Sequence, residues 1–186
     1  MTDAISADVS FEDVDVWWQD EARVGQQGTI TRMWAQKGTR PRAIRQQQFE
    51  YAYIYGAVCP SKDEGVALVL PVANSEAMSL HLEEISKKAE PGRVAVVIMD
   101  QAGWHTSSKL KKFDNVVLIM LPPYSPELNP VEQVWKQLRE DSLANRCFKN
   151  YEDIVQSCAK AWRKFTGVIE NIRSLCSRDW AILANI

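Results

Sequence analysis

Three carboxylates in this chain of 186 residues occupy positions suited to joint chemistry: Asp20, Asp100 and Glu132. Asp20 follows residues 14–19 (VDVWWQ), a run of β-formers, and Asp100 follows the apolar run Val94–Met99 (VAVVIM). If those two strands are neighbours, their ends lie about 5 Å apart. A helix opening near Glu132 can then bring its first turn over the same edge. Three carboxylates in a small volume repel one another unless a cation lies between them. Hard oxygen ligands with open positions select Mg²⁺ or Mn²⁺. Two such ions, about 3.5–4 Å apart, activate a water or a 3′-hydroxyl and stabilise the leaving oxygen of a phosphodiester. Each acid also has a plainer reading. Asp20 and Asp100 can cap loops, and Glu132 can complete a capping box or pair with Lys136 one turn on. The joint placement is what points to a site.

The elements that must position these acids are legible in outline. Residues 121–135 (LPPYSPELNPVEQVW) stop the apolar run Val116–Met120 with Pro122 and Pro123, and Pro126 follows. Prolines fix φ near −65° and cannot donate ladder hydrogen bonds, so this is a stiff loop leaving a strand. Asn129-Pro130-Val131-Glu132 then reads as N-cap, first helical position and first-turn acid. Val131, Val134, Trp135 and Leu138 recur at helical spacing and predict a helix reaching about Ala144 with one face buried.

Upstream, β-former content predicts strands over residues 14–19, 29–35, 49–59 and 66–72, joined by short connections as an antiparallel meander. A helix over residues 75–89 follows, capped by Asn74 or Ser75. Next come the doubly buried strand Val94–Met99, a short helix over residues 104–113 and the last strand, Val116–Met120. Asn150 caps a further helix with Ile154, Val155, Cys158, Trp162 and Phe165 on one face, and residues 168–176 are also helical. The order predicts an α/β fold, with the meander feeding a mixed sheet.

Composition describes an ordinary globular chain, 25% charged and 46% hydrophobic, with a net charge of −2. The acidic N-terminus lacks the features of a signal peptide, and no apolar run approaches the roughly 20 residues of a membrane span. Cys59, Cys147, Cys158 and Cys176 form no C-x-x-C pair and read as reduced core thiols. The expected location is the cytoplasm. Between Glu21 and Glu50 there is no acidic residue, yet Arg23, Arg32, Lys37, Arg40, Arg42 and Arg45 fall there. Such a basic stripe can track a phosphate backbone, or can simply be a solvated loop face. No phosphate-binding glycine-rich loop followed by Lys-Ser/Thr is present, which excludes that class of nucleotide hydrolysis.

At four places the sequence resembles the catalytic domain of mariner-type transposases, in particular the bacterial insertion-sequence branch of the DDE superfamily endonucleases. Trp18-Gln19-Asp20-Glu21 resembles the strand carrying the first acid. Trp34-Ala35-Gln36-Lys37-Gly38 resembles the family's Trp-x-x-Lys-Gly turn. Asp100-Gln101-Ala102-Gly103-Trp104-His105 resembles Asp-Asn-Ala-x-x-His with the second acid. Residues 121–135 match the long Pro-Tyr-Ser-Pro-x-Leu-Asn-Pro-x-Glu-x-x-Trp segment around the third. That last motif is highly specific, and together the four cover residues 16 to about 165.

The resemblance implies an RNase H-like fold and a nucleoid-associated bacterial enzyme that cleaves and joins DNA strands with two divalent ions, Mg²⁺ or Mn²⁺. Carried over by position, the metal ligands are Asp20, Asp100 and Glu132. Asp15 is the lesser candidate because the motif places the acid before Glu21, and spacing favours Glu132 over Glu127. His105 matches a family position that could contact the scissile phosphate or a metal-bound water. His81 reads as a surface residue of its helix. Arg32, Lys37, Arg40, Arg42 and Arg45 are the candidates for DNA contact, with Trp34 among them read as packing more than base stacking. Two local departures are visible. Gln101 stands where Asn is usual, and only 31 residues (101–131) separate Asp100 from Glu132.

A larger departure concerns organisation. The expectation is a flexible lead-in over residues 1–12 and one catalytic domain over 13–186, with no room before Asp20 for the family's helix-turn-helix region. DNA at transposon ends and target, a homodimer when complete and a separately encoded DNA-binding part are the expected partners. Two other readings stand beside this one: a non-catalytic remnant or domesticated protein that binds DNA or a partner, and another RNase H-like nuclease.

Overall fold

The structure is a computed structural model that describes residues 10–177, except 29, 33, 40, 43 and 45. Of the lead-in, residues 1–9 lie outside the described residues. Ser10 caps a 3-10 turn, Phe11–Asp13, that runs straight into the first strand. The elements are β1 (Val14–Gly25), β2 (Tyr51–Cys59), β3 (Glu64–Leu70), α1 (Ser75–Lys88), β4 (Val94–Met99), β5 (Val116–Met120), α2 (Val131–Leu138), α3 (Tyr151–Thr166) and α4 (Asn171–Cys176). A π-helical turn, Arg139–Leu143, prolongs α2 and ends at Ala144.

The sheet order is β3-β2-β1-β4-β5. β1, β2 and β3 form the antiparallel meander, and β4 and β5 add to it in parallel. This is the mixed sheet that the order of elements predicts. Side chains alternate across it. Val16, Trp18, Ile54, Val96 and Ile98 pack with α2 and α3, while Trp17, Tyr55, Ala95, Val97 and Met99 pack with α1. A helix layer on each face explains why β4 reads as a continuous apolar run.

Three expectations are corrected. The strand over residues 29–35 is absent among the described residues. β1 is flanked by β2 and β4, so its ladder has no free edge for that segment, and the described residues between Gln26 and Glu50 form an irregular arm. The helix over residues 104–113 is instead a loop of single turns, such as Leu110 N to Ser107 O at 3.1 Å. The Ser107 hydroxyl there accepts from Lys109 N at 3.2 Å, an alternative to helical pairing. His81 is fully buried in α1 against Tyr55, with ring centroids 5.7 Å apart, and is not a surface residue. Burial, with the charge of His105 added, pulls its imidazole down to about 3, so it is neutral.

Among the cysteines, Cys59, Cys158 and Cys176 are buried thiols, whereas Cys147 is exposed. Among the described residues, no helix is long and apolar enough to cross a membrane.

Candidate active site

Asp20 does not end its strand. β1 continues to Gly25, because its antiparallel ladder with β2 runs on to Gly25 opposite Tyr51. What ends near Asp20 is the parallel ladder with β4, whose last pair is Trp18 with Ile98. Two residues further on stand Asp20, still within β1, and Asp100, one residue past the end of β4. Both are in phase with Trp18 and Ile98, on the α2 face of the sheet. Beyond β5, Leu121 N still donates to Met99 O at 2.7 Å. Pro122 and Pro123 have no N–H to extend the ladder. A cleft of about 450 Å³ opens there, lined by Asp20, Asp100, Glu132 and the loop of residues 121–126.

Glu132 is brought over the cleft by Asn129. The buried Asn129 amide donates to Gln19 O at 2.8 Å, beside Asp20, and its Oδ1 accepts from Val131 N at 3.2 Å. One side chain thus starts α2 and fastens it to β1. The Glu132 carboxylate makes neither the capping-box contact nor an ion pair with Lys136 among the described residues. It lines the cleft with no side-chain partner among the described residues.

Asp20 has one strong partner. Trp135 on α2 donates its indole N–H to Asp20 Oδ2 at 2.8 Å. Gly56 makes this possible. It lies opposite Asp20 in the ladder, and a Cβ there would sit 2.5 Å from the Trp135 ring. Burial pushes the Asp20 carboxyl up. The Trp135 hydrogen bond offsets part of that, and the charges of Glu132 and Glu21 add to it, leaving Asp20 at about 7.

Asp100 is exposed on the cleft side and braced from behind. His105 Nδ1 lies 2.8 Å from Asp100 Oδ1 and 3.0 Å from its carbonyl oxygen, and Ala102 N donates to Oδ1 at 3.0 Å. The other ring nitrogen, Nε2, lies 2.8 Å from Glu21 Oε1, to which Trp104 Nε1 also donates at 3.3 Å. His105 is fully buried and does not line the cleft. The structure places it behind Asp100. Both nitrogens face acceptors, an arrangement that suits the imidazolium. Burial alone would lower the His105 pKa. The hydrogen bond and charge of Glu21, with the carbonyl and carboxylate of Asp100, outweigh it and hold the ring above its ordinary value.

Several roles become visible only in three dimensions. Glu21, next to Asp20 in sequence, points to the α1 face and anchors His105. Its one sequence signal is the Asp-Glu dipeptide. Gly56 and Trp135 cradle Asp20, and nothing in the sequence pairs them. Gln101 donates to Leu121 O at 2.9 Å, tying the Asp100 loop to the proline loop. Asp15 is set apart at the far end of β1, buried and paired with Arg93 at 2.6 Å and Lys62 at 2.8 Å. Glu127 is exposed in a 3-10 turn, Pro126–Leu128.

Of the basic stripe, Arg32, Lys37 and Arg42 are exposed on the arm, and Arg40 and Arg45 lie outside the described residues. Trp34 is fully exposed and does not pack. The arm is fastened at its base by Asn145, which bonds Thr31 N, O and Oγ1 at 3.0–3.1 Å, and by Gln46, which bonds the backbone of Phe148.

The donor set fits divalent cations. It consists of three carboxylates on one cleft, one without a side-chain partner among the described residues and one whose pKa burial and neighbouring charge push to about 7. Among the described residues no group of three His, Cys, Asp or Glu is already drawn together as a metal-binding set. A cation would supply the attraction that closes the three acids on it.

The antiparallel meander β3-β2-β1, continued in parallel by β4 and β5 and flanked by helices, is an RNase H-like fold. The model of the DDE superfamily endonucleases matches residues 15–155, and the chain belongs to that family. A protein of Sinorhizobium fredii (strain NBRC 101917 / NGR234), named uncharacterized protein y4pE/y4sA, is 53% identical over 131 residues, covering 70% of this chain and 97% of the relative.

Among solved structures, the Mos1 mariner paired end complex with Mn superposes with a TM-score of 0.65 at 14% identity, over 89% of this chain and 52% of that one. The Mos1 transposase paired-end complex with left transposon end gives 0.64 at 16%, over 87% and 51%. The mariner Mos1 paired end complex with Mg gives 0.62 at 15%, over 91% and 54%. These likenesses establish the fold. The chain spans about half the length of the solved chains it matches.

Proposed function

We propose that this chain is the catalytic part of a transposase, cleaving and joining DNA strands at the ends of a transposable element. The observation that carries this reading is the meeting of Asp20, Asp100 and Glu132 on one cleft at the ends of the parallel strands. The solved Mos1 complexes with Mn and with Mg support a divalent cation as the partner of these acids.

Asp20, Asp100 and Glu132 would hold two Mg²⁺ or Mn²⁺ ions, which supply an activated oxygen nucleophile and charge stabilisation for the leaving oxygen. The chain's own residues do the positioning. Trp135 fixes one oxygen of Asp20 and leaves the other available. His105, clamped by Glu21, sets the angle of Asp100 from the buried side. Asn129 fixes the register of α2 and so the reach of Glu132. Arg32, Lys37 and Arg42 on the arm, with Arg40 and Arg45, contact the phosphate backbone and confer affinity that falls with salt, not sequence choice. A homodimer on paired ends and a separately encoded DNA-binding part complete the proposed assembly.

The test is nicking of supercoiled DNA with Mn²⁺ or Mg²⁺ by the wild type and by Asp100→Asn. Metal-dependent nicking lost in the variant supports the reading. Metal-independent nicking, or equal nicking by both proteins, contradicts it. No nicking by either on any DNA, including transposon-end duplexes, favours the non-catalytic remnant. Nicking indifferent to the terminal sequence of an element favours another RNase H-like nuclease.

A further inference from the structure

Four non-glycine residues among those described have left-handed backbone: Asp63, Tyr124, Asn145 and Glu170. Three of them have side-chain partners. Asp63 accepts from Glu170 N and Arg173 N, Asn145 bonds Thr31, and Glu170 pairs with Arg173. Asp and Asn also tolerate this region well. Tyr124 has neither excuse. Its φ is 57°, it is a bulky aromatic residue, its relative exposure is 101%, and its ring makes no hydrogen bond or ring contact among the described residues. A strained backbone that presents an unpacked aromatic ring to solvent costs free energy that the folded chain does not recover.

The loop fixes the backbone that carries the ring. Pro123 precedes it and Pro126 follows two residues on. The Ser125 hydroxyl donates to Pro123 O at 3.3 Å, and Leu128 N donates to Ser125 O at 3.1 Å. The same loop lines the cleft that Asp20, Asp100 and Glu132 line. The nearest chemistry to a phosphodiester held by those acids is the base of the adjoining nucleotide. Every base has a π-face, and aromatic rings bind unstacked bases without regard to sequence.

We propose that Tyr124 is a base-stacking residue: it packs on the unpaired or extruded base next to the phosphodiester in the acidic cleft, so that the site prefers frayed or single-stranded DNA at the cut. This rests on the reading of the cleft as a phosphodiester site. Removing the ring weakens binding of a frayed end about 5- to 100-fold, and a fully paired end is bound less tightly than a frayed one.

The experiment uses the full chain, with Ca²⁺ as the cation, and duplexes whose ends are paired or carry a short single-stranded overhang. 2-Aminopurine is placed in turn at each nucleotide flanking the junction. Wild type, Tyr124→Phe and Tyr124→Trp should bind the overhang tightly and change 2-aminopurine fluorescence at one flanking position. Tyr124→Gly, which suits the left-handed backbone and lacks only the ring, should lose that signal and bind 5- to 100-fold more weakly. Its Mn²⁺ affinity and thermal midpoint should be retained. Equal binding and an equal fluorescence change in wild type and Tyr124→Gly would overturn the proposal while leaving metal-dependent nicking intact. A wild type that neither binds DNA ends nor nicks DNA would overturn the phosphodiester reading, and this inference with it.

Discussion

The Glu21 carboxylate lies 2.8 Å from Nε2 of His105, on the face of the sheet opposite Asp20. Adjacent residues of β1 thus serve one site from two sides. Asp20 lines the cleft, while Glu21 holds the buried ring that braces Asp100. Glu21→Gln keeps the size and removes the charge. NMR titration should show the His105 midpoint falling from its raised value towards or below the ordinary one, about 6.5. Because the folded pKa is raised, the stability this group contributes is present below about pH 6.5 and is lost as pH rises through the folded value. The variant should flatten that segment of the stability profile. Loss of the brace should also reduce metal-dependent nicking about 10–100-fold, the usual effect of removing a partner behind a metal ligand.

Asp20 gives a second pH signature. Its folded pKa is about 7, against an ordinary value near 4. A raised carboxyl contributes stability below the unfolded pKa and loses it as pH rises through the folded one. In chelator, therefore, thermal stability should fall between about pH 4 and pH 7, and Asp20→Asn should remove much of that slope. Mn²⁺ should restore stability to the wild type at pH 7 and above, and do so less in the variant. Melting curves across pH, with and without Mn²⁺, check both statements.

The cradle of Asp20 can be tested apart from its charge. Trp135→Phe keeps an aromatic ring but deletes the 2.8 Å hydrogen bond. Hydrogen bonds to charged groups are worth about 1.5–3 kcal/mol, so the Asp20 pKa should climb and Mn²⁺ affinity at pH 7 should fall. Gly56→Ala forces a methyl group against the Trp135 ring and should destabilise by about 1–3 kcal/mol, read from urea unfolding.

That Asp20, Asp100 and Glu132 line one cleft was legible because residue type and position coincide: acids after two β-rich runs and an acid in the first turn of a helix that follows a stiff proline loop. The mixed sheet was legible from the order of elements and from the unbroken apolar run of β4. Register was not. Nothing local says that β1 runs five residues past Asp20, because polar residues continue a strand when a partner, here β2, supplies the ladder. The β-formers at residues 29–35 were misleading for the converse reason, since both edges of β1 are taken. His81 looked like a surface residue because its helix is polar on average, and only tertiary packing turns it against Tyr55. The pairing of Glu21 with His105 joins residues 84 apart, and no local pattern encodes it.

Asp15 supplies the contrast. It is a buried acid, yet it is neutralised by Arg93 and Lys62. Asp15→Ala removes one partner of Arg93, which still donates to Glu12 O and Val14 O, and of Lys62, which still pairs with Glu90, and should cost about 1–3 kcal/mol in urea unfolding. Mn²⁺ affinity of the folded fraction should not change, since Asp15 is absent from the cleft.

The most direct test of the convergence of the three acids is calorimetric binding of Mn²⁺ to the wild type and to Asp100→Asn, at a pH above 7 where Asp20 is ionised and with a DNA end present. Binding to the wild type that weakens tenfold or more in the variant, about 1.4 kcal/mol, is the predicted result. Equal affinity in the two proteins would contradict a shared cation site built from Asp20, Asp100 and Glu132.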